Sequence, residues 1–444
     1  MDKIRKVQVG LFGLGTVGAG VVKALRENSG HILSQLGVSI EINKILVKDI
    51  EKERRVEVDA LQLITDGSLI VDDPEIDIVV EVMGGIDPAY TLVKKALESG
   101  KHVVTANKEL LAKRGQELLQ IATDRQVHLL YEASVGGGIP VIRTLQAYLS
   151  ANRVSSLRGI LNGTCNYILT QMAEQGSSFE SALAQAQAAG FAEADPTNDV
   201  EGFDASYKLM ILASMAFPVT SDELHVQRQG ITEIDAVDMA VAKKMNGVIK
   251  LVAEASYDGE SVTLSVGPQM IPNTDSLAGI RDEFNAVLIQ ADVVGDLLLV
   301  GKGAGERPTA SAVIEDVMAI LQSENPRVRK PIDPWTPNHS SDQGGLSGSW
   351  SYLRIKRDKL QEESLLEAIT SNFLLNGADE RLPLMLHDNH HASDDILMLV
   401  PVSSRLLSDW LKEKNDRDWL VLPFKGEMSY EKGKVVTHFS EAIS

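Results

Sequence analysis

The stretch Val7-Gln8-Val9-Gly10-Leu11-Phe12-Gly13-Leu14-Gly15-Thr16-Val17-Gly18-Ala19-Gly20-Val21-Val22-Lys23-Ala24-Leu25-Arg26-Glu27 decides the fold. Residues 7–12 form a short apolar run of β type, and 19–27 put Val21, Val22 and Leu25 on one helical face. The join between them spells G-x-G-x-x-G. A lone match is weak, but here it leaves a strand and opens a helix, the context in which the motif has a mechanism. Gly13 permits a tight turn, Gly15 lets the backbone approach a pyrophosphate, and Gly18 lets helix and strand pack closely. Free amides at the helix start, around Phe12, Thr16 and Val17, then face the phosphates. The competing reading is a glycine-rich turn with no ligand.

Outward from this unit, β-type runs at 41–47, 76–82, 103–105 and 127–131 alternate with helical stretches at 90–98 and 110–123. That alternation predicts a Rossmann-type, doubly wound parallel α/β sheet over residues 1–140. Past the second strand, a base would accept a 2′-phosphate and an acid would take ribose hydroxyls. The chain has Lys48 followed by Asp49, so Lys48 favours NADP, Asp49 leaves NAD open, and both are also readable as solvated loop charges. Two further strand ends carry Met83-Gly84-Gly85 and Thr105-Ala106-Asn107-Lys108. Gly84, Gly85 and Thr105 suit close approach to a ribose or nicotinamide. Lys108 would bring an ammonium to the mouth of the cleft, although an Asn-Lys pair also serves as a plain helix cap.

With 444 residues and ~150 per domain, about three domains are expected. After residue 140 long helices at 179–189 and 205–216 mix with β segments at 261–266 and 286–294, which reads as an α+β domain over 141–300. The segment Gly301-Lys302-Gly303-Ala304-Gly305 and a helix at 309–321 could return to the first sheet, completing it with about 301–325. Residues 338–350 read as a Ser/Gly/Asn-rich linker. Beyond it, strands at 352–356, 382–387, 396–402 and 419–422 and helices at 363–375 and 404–412 follow the βαββαβ, ferredoxin-like order, which predicts a third domain over 351–444.

Lys plus Arg number 43 against 62 Asp plus Glu, a net charge of −19 that repels nucleic acid and anionic membranes. Cys165, the single cysteine, can form neither an intramolecular disulfide nor a thiolate cluster, which suits a reducing cytoplasm. Lys3, Arg5 and Lys6 before 7–25 imitate a secretory leader, but five glycines interrupt the apolar run. No run of about 18 uncharged apolar residues spans a membrane.

Polar chemistry concentrates in 190–208, Gly-Phe-Ala-Glu-Ala-Asp-Pro-Thr-Asn-Asp-Val-Glu-Gly-Phe-Asp-Ala-Ser-Tyr-Lys. Asp199 could cap the next helix, and Asp204 and Lys208, four apart, share a helical face. An exposed pair of this kind is worth only ~0.3–0.5 kcal/mol. The residues after Lys208 are apolar almost all round, so the helix is expected to be buried with its polar side at a cleft. Asn162-Gly163-Thr164-Cys165-Asn166-Tyr167-Ile168-Leu169 is a polar turn opening an apolar helix and suits a substrate loop; Cys165 there reads as a packing residue. Glu132-Ala133-Ser134-Val135-Gly136-Gly137-Gly138-Ile139 pairs a carboxylate with the carbonyls of a glycine turn, a donor set for a hard monovalent cation.

Taken in order, the 13–18, 81–85, 105–108, 162–169 and 193–208 motifs resemble homoserine dehydrogenase over about residues 5 to 325. Gly301 to Ser311, with Gly303, looks like that family's late segment at the cofactor domain. The resemblance implies reversible reduction of L-aspartate 4-semialdehyde to L-homoserine with NADP or NAD, toward threonine and methionine, by a cytoplasmic homodimer or homotetramer. Lys208 looks like the proton donor and acceptor and Lys108 the other lysine at the reacting end, with the choice between them open. Glu193 and Asp204 look like the acids that hold the substrate amino group and orient the lysine, beside Asn162, Gly163 and Thr164. Glu132, Val135, Gly137 and Ile139 match the family's sodium site, the last three through carbonyls.

The region after 350 resembles the family's regulatory ACT domain but lacks its Asp-x-Pro-Gly turn, having Lys356-Arg357-Asp358-Lys359-Leu360-Gln361-Glu362 instead. This implies an ACT-like dimerising module and leaves threonine binding open. No fused kinase precedes the first strand, which implies a monofunctional enzyme. Two other readings stand beside this one: a dehydrogenase of a different amino-acid aldehyde, and a non-catalytic dinucleotide or amino-acid sensor. The sensor predicts loss of catalytic side chains, yet Lys108, Glu193, Asp204 and Lys208 are all present.

Overall fold

Six strands, β1 (Arg5–Phe12), β2 (Val38–Leu46), β3 (Leu63–Ile64), β4 (Ile78–Glu81), β5 (His102–Thr105) and β6 (Leu129–Leu130), form a parallel sheet ordered β3-β2-β1-β4-β5-β6. The computed structural model describes residues 4–220, 223–323, 350–355, 369, 384–385, 396–400, 402–413, 419–425, 428–431 and 434–437. Val7, Val9, Leu11 and Phe12 of β1 and Ile78, Val79 and Val80 of β4 are buried. A parallel sheet covered on both faces needs strands that are apolar throughout, which is why these runs lack alternation. The doubly wound sheet expected from the sequence is therefore present. Its strand order reverses between β1 and β4, so the crevice that accepts a ligand opens at their carboxyl ends.

The helix Glu306–Gln322 returns to this sheet from far along the chain. Ala310, Val313, Val317 and Ile320 share one core with Val7, Val9, Val21 and Val22. Lys23 and Glu306 close the contact with a 2.8 Å ion pair.

A second, mixed sheet of ten strands is built on β7 (Val154–Ile160), β9 (Gly247–Tyr257), β10 (Val262–Pro272), β11 (Phe284–Ala291) and β12 (Gly295–Lys302), with β8 (Val226–Arg228) beside β10. The helices Gly163–Gln175 and Phe203–Ala216 pack on it: Leu169, Met172, Leu209 and Leu212 join Leu251, Ala253, Val287 and Ile289 in one core. This is the α+β arrangement read from the sequence.

The later strands β13 (Trp350–Ile355), β14 (Leu384–Met385), β15 (Ile396–Val400) and β16 (Trp419–Phe424) are ordered β16-β13-β15-β14, with each neighbouring pair antiparallel. That is the strand order of a βαββαβ unit. Rather than standing apart, β16 pairs in parallel with β10 through Met270 and Phe424, so the two parts share one sheet. Tyr352 Oη donates to Asp238 Oδ1 at 2.9 Å, and Arg354 reaches Asp235 and the Glu233 carbonyl, at the start of the helix Ala236–Lys244. Most of the expected 338–350 linker, the 356–362 turn and nearly all of the 363–375 helix lie outside the described residues. No helix among the described residues is long and apolar enough to cross a membrane.

Candidate active site

The G-x-G-x-x-G turn adopts the geometry its residues require. Gly13 sits at φ 101°, and a Cβ on Gly18 would lie 2.3 Å from the Gly13 carbonyl oxygen, so the helix Thr16–Glu27 can approach only without side chains there. Nothing lies within 4 Å of a Cβ position at Gly15, Gly84 or Gly85, which leaves a cradle open above two strand ends, those of β1 and β4. Phe12 is buried and accepts from the Val82 amide at 2.9 Å, tying the first of these turns to the second. Thr16 is exposed and Val17 half-buried at the helix start. Lys48 is exposed just past β2, while the Asp49 carboxylate accepts from the Glu51 amide at 2.9 Å. A Cβ on Gly303 would sit 2.0 Å from the Asn285 side chain.

Asn107 caps the helix Lys108–Arg125, accepting from the Leu110 amide at 3.1 Å. That start aims Lys108 across the crevice at Asp204, its ion-pair partner, at the start of the helix Phe203–Ala216. One turn along, the Lys208 ammonium lies 2.7 Å from the other oxygen of Asp204 and donates to the Leu161 carbonyl at 2.8 Å. Asn162, capping the helix Gly163–Gln175, donates from Nδ2 to Asp204 at 2.9 Å and to Asp199 at 2.7 Å. Burial works to raise the Asp204 carboxyl, but the two flanking ammoniums together hold it well below the usual carboxylate range. Burial draws the Lys208 pKa down, whereas the Asp204 charge raises that of Lys108. Two lysines of similar sequence weight thus stand in opposite electrostatic states.

Thr164 is buried with its hydroxyl donating to the Phe191 carbonyl at 2.7 Å, and Gly163 packs where a Cβ would lie 2.7 Å from the Glu283 carbonyl oxygen. Glu193 is exposed and raises the Lys108 pKa through its charge from a distance, without a direct ion pair among the described residues. Asp199 acts otherwise than as the cap read from sequence: it lies within the turn Thr197–Val200 and receives the Asn162 amide, and burial raises its carboxyl. Its spacing from Asp204 was the available signal. Cys165 is buried, with Sγ 3.1 Å from the Asp199 carbonyl oxygen and its thiol pushed up by burial, the environment of a packing residue.

Glu132 is buried and accepts from the amides of Ile142 and Arg143 at 2.8 and 2.7 Å. Asp316 accepts from the Glu132 amide at 2.8 Å, and burial pushes its carboxyl up to about 7. Val135, Gly137 and Ile139 line the adjoining turn, all buried.

Family models describing homoserine dehydrogenase and the NAD binding domain of homoserine dehydrogenase match residues 140–318 and 13–132. A homoserine dehydrogenase of Bacillus subtilis is 37% identical over 418 residues, covering 93% of this chain and 96% of its own length. The crystal structure of a homoserine dehydrogenase from Thiobacillus denitrificans superposes with a TM-score of 0.81 at 35% identity, covering 95% of this chain and 98% of that one. A hyperthermophilic archaeal homoserine dehydrogenase in complex with NADPH matches with a TM-score of 0.61 at 28% identity, covering 72% of this chain and 100% of that one.

Proposed function

The chain belongs to the homoserine dehydrogenase family, and from that premise we propose how its own residues divide the work. It is an NAD(P)-dependent oxidoreductase that interconverts L-aspartate 4-semialdehyde and L-homoserine, on the branch toward threonine and methionine. A bound nicotinamide supplies the hydride in one direction and accepts it in the other. The open cradle at Gly15, Gly84 and Gly85 fits such a dinucleotide, with Phe12, Gly13, Thr16, Val17, Gly18, Thr105 and Gly303 around it.

Lys208 passes the proton. Hydride arrival leaves negative charge on the substrate oxygen, and an ammonium within hydrogen-bond reach stabilises and then protonates it. Two of the three Lys208 protons are committed to Asp204 and Leu161, leaving one for substrate. Its burial-lowered pKa suits release in one direction and uptake in the other. Lys108 stays charged and supports the oxygen electrostatically. Asp204 orients both lysines, and Glu193 with Asp199 receives the substrate amino group beside Asn162, Gly163 and Thr164. The observation that carries this reading is Asp204 held between one ammonium from each domain.

NADP is the preferred cofactor in this reading: Lys48 is exposed for a 2′-phosphate while Asp49 is turned to the Glu51 amide. A sodium ion fits beside Glu132, whose carboxylate accepts two backbone amides and which shares with Asp316 the half-exposed Arg143 as cationic neighbour. The carbonyls of Val135, Gly137 and Ile139 would complete its oxygen set. The 351–444 region is an ACT-like module, supported by its strand order. The chain works as a homo-oligomer in the cytoplasm; exposed Leu298 and Val300 on the edge strand β12 support self-association.

The test is nicotinamide absorbance with L-homoserine and NADP⁺ or NAD⁺ in parallel, with and without added threonine and sodium. Homoserine-dependent reduction, faster with NADP⁺, is expected. Reduction by another amino-acid alcohol in preference to homoserine would overturn the substrate assignment.

A further inference from the structure

Glu81 ends β4 with no exposed surface, directly beneath the turn 83–85 that faces the open cradle. A carboxylate is costly there, and burial pushes it up. An apolar side chain would suit the core better, so the acid must serve its partners. Its Oε1 accepts from the Met83 amide at 2.8 Å and its Oε2 from the Thr105 hydroxyl at 2.5 Å. Thr105 Oγ1 in turn accepts from the Asn107 amide at 3.0 Å, and Asn107 Nδ2 donates to the Gly85 carbonyl at 2.6 Å. Asn107 is also the cap of the helix whose first residue is Lys108. The hydrogen bonds thus form a closed circuit, Glu81 to Thr105 to Asn107 to Gly85 and back through Met83. It joins the cofactor-facing turn of one strand to the lysine-bearing turn of the next.

We propose that Glu81 is a positioning residue for both halves of the reaction, fixing the cofactor-facing turn 83–85 relative to the Lys108 ammonium. This rests on the dehydrogenase reading of the cleft. Replacing Glu81 by glutamine keeps its volume but removes the charge and puts an NH₂ group beside either the Met83 amide, which it opposes donor to donor, or the Thr105 hydroxyl, which must then accept instead of donate. The circuit is broken at Met83 or reversed and weakened at Thr105. Replacing Thr105 by valine opens it at Thr105, and serine restores the hydroxyl.

The experiment compares Glu81→Gln, Thr105→Val and Thr105→Ser with the wild type by thermal unfolding, by titration of reduced-nicotinamide fluorescence, and by kcat, KM and the primary deuterium isotope effect with labelled homoserine. Folded Glu81→Gln and Thr105→Val are expected to lose about 30- to 100-fold in kcat, as for a displacement of about 1 Å, with KM for homoserine changed less than about threefold. Their dinucleotide affinity should weaken several-fold, their isotope effect should rise as hydride transfer becomes limiting, and Thr105→Ser should recover most of both losses. Should Glu81→Gln fail to fold, the two Thr105 variants decide alone. Unchanged kcat and dinucleotide affinity in folded variants, with an active wild type, would overturn the role of Glu81 and leave the dehydrogenase reading intact. A wild type that binds dinucleotide yet shows no homoserine-dependent reduction would overturn that reading and this inference with it.

Discussion

Lys108 and Asp204 form an ion pair across the crevice, one residue from the dinucleotide domain and the other from the substrate domain. Asp204 carries a second ammonium, Lys208, on its other oxygen, so one buried anion meets two cations. The cluster of Asp204 and its two lysines carries a net positive charge, which in the proposed reaction suits an oxygen that becomes negative in the transition state. Because its members come from both domains, the charge balance at the centre depends on their being docked.

Lys208→Ala should lower kcat by about 10²- to 10⁴-fold, the range of a lost general acid or base, while dinucleotide affinity stays within about threefold. Stopped-flow reduction with fluorescence titration checks both. Lys108→Met should also slow turnover, but it carries a distinct signature in pH. Lys108 is a like charge that lowers the Lys208 pKa, so its removal lets that pKa rise. Homoserine oxidation needs the neutral lysine, and the acid limb of its pH profile should therefore move to higher pH; a shift to lower pH would show that Lys208 is not the titrating group.

Asp204→Asn should destabilise the fold by about 3–5 kcal/mol at neutral pH, because it removes one member of a buried pair and leaves ammoniums without a counter-charge. The folded carboxyl titrates below its ordinary value of 3.8. Its stabilising contribution is thus complete above that unfolded value and is lost as pH falls through the folded one. Urea midpoints of wild type and variant should therefore differ by a constant amount from about pH 7 to pH 4 and draw together only as pH falls below 3.8 toward about pH 2. A gap that is absent at pH 7, or that closes above about pH 4, would contradict the pairing.

Lys48→Ala should raise KM for NADP⁺ by about tenfold, the worth of one charge-assisted hydrogen bond to phosphate, and leave NAD⁺ nearly unaffected. Steady-state rates with the two cofactors measure the ratio directly. Equal effects on both would assign Lys48 to solvent.

Asp238 has its carboxyl pushed up to about 6, burial outweighing the adjacent Arg354 guanidinium. Between 3.8 and about 6 the folded state binds the proton more tightly than the unfolded one, so stability should fall as pH rises through that window. Its share of the loss is about 2–3 kcal/mol; Asp316, also raised by burial, adds its own over the same range, so Asp238→Asn should lessen the slope rather than abolish it. Urea unfolding at pH 4.5 to 7 reads the slope, and a slope undiminished in Asp238→Asn would place its origin elsewhere.

The parallel sheet is legible because the buried parts of strands such as β1 and β4 are mostly apolar and lead into glycine turns. Edges were less so: the run at 127–131 yields only Leu129–Leu130 as strand, because only there does it pair with β5. The edge strand β12 escaped notice since its alternation buries neither face deeply. Helical spacing correctly put Asp204 and Lys208 side by side, but nothing in spacing brings Lys108 to the same carboxylate. Asp199 was given the role of a cap because Asp at a helix start is usually that; the Asn162 amide that claims it comes from another element. Glu81 enters the sequence reading only as part of the 81–85 motif, and its burial and bond to Thr105 reveal that it binds inward.

The helix Glu306–Gln322 completes the face of the first sheet beside Val21 and Val22, although β1 begins at Arg5. On a ribosome the strands of the first sheet therefore emerge long before their cover, with an oily surface waiting while β7 to β12 of the second sheet are made. Vectorial synthesis usually lets an amino-terminal domain finish first. Here it cannot: residues 7–22 are translated well before the helix that covers them, and a chain truncated before residue 306 would present Val7, Val9 and Val21 to chaperones rather than to a partner helix.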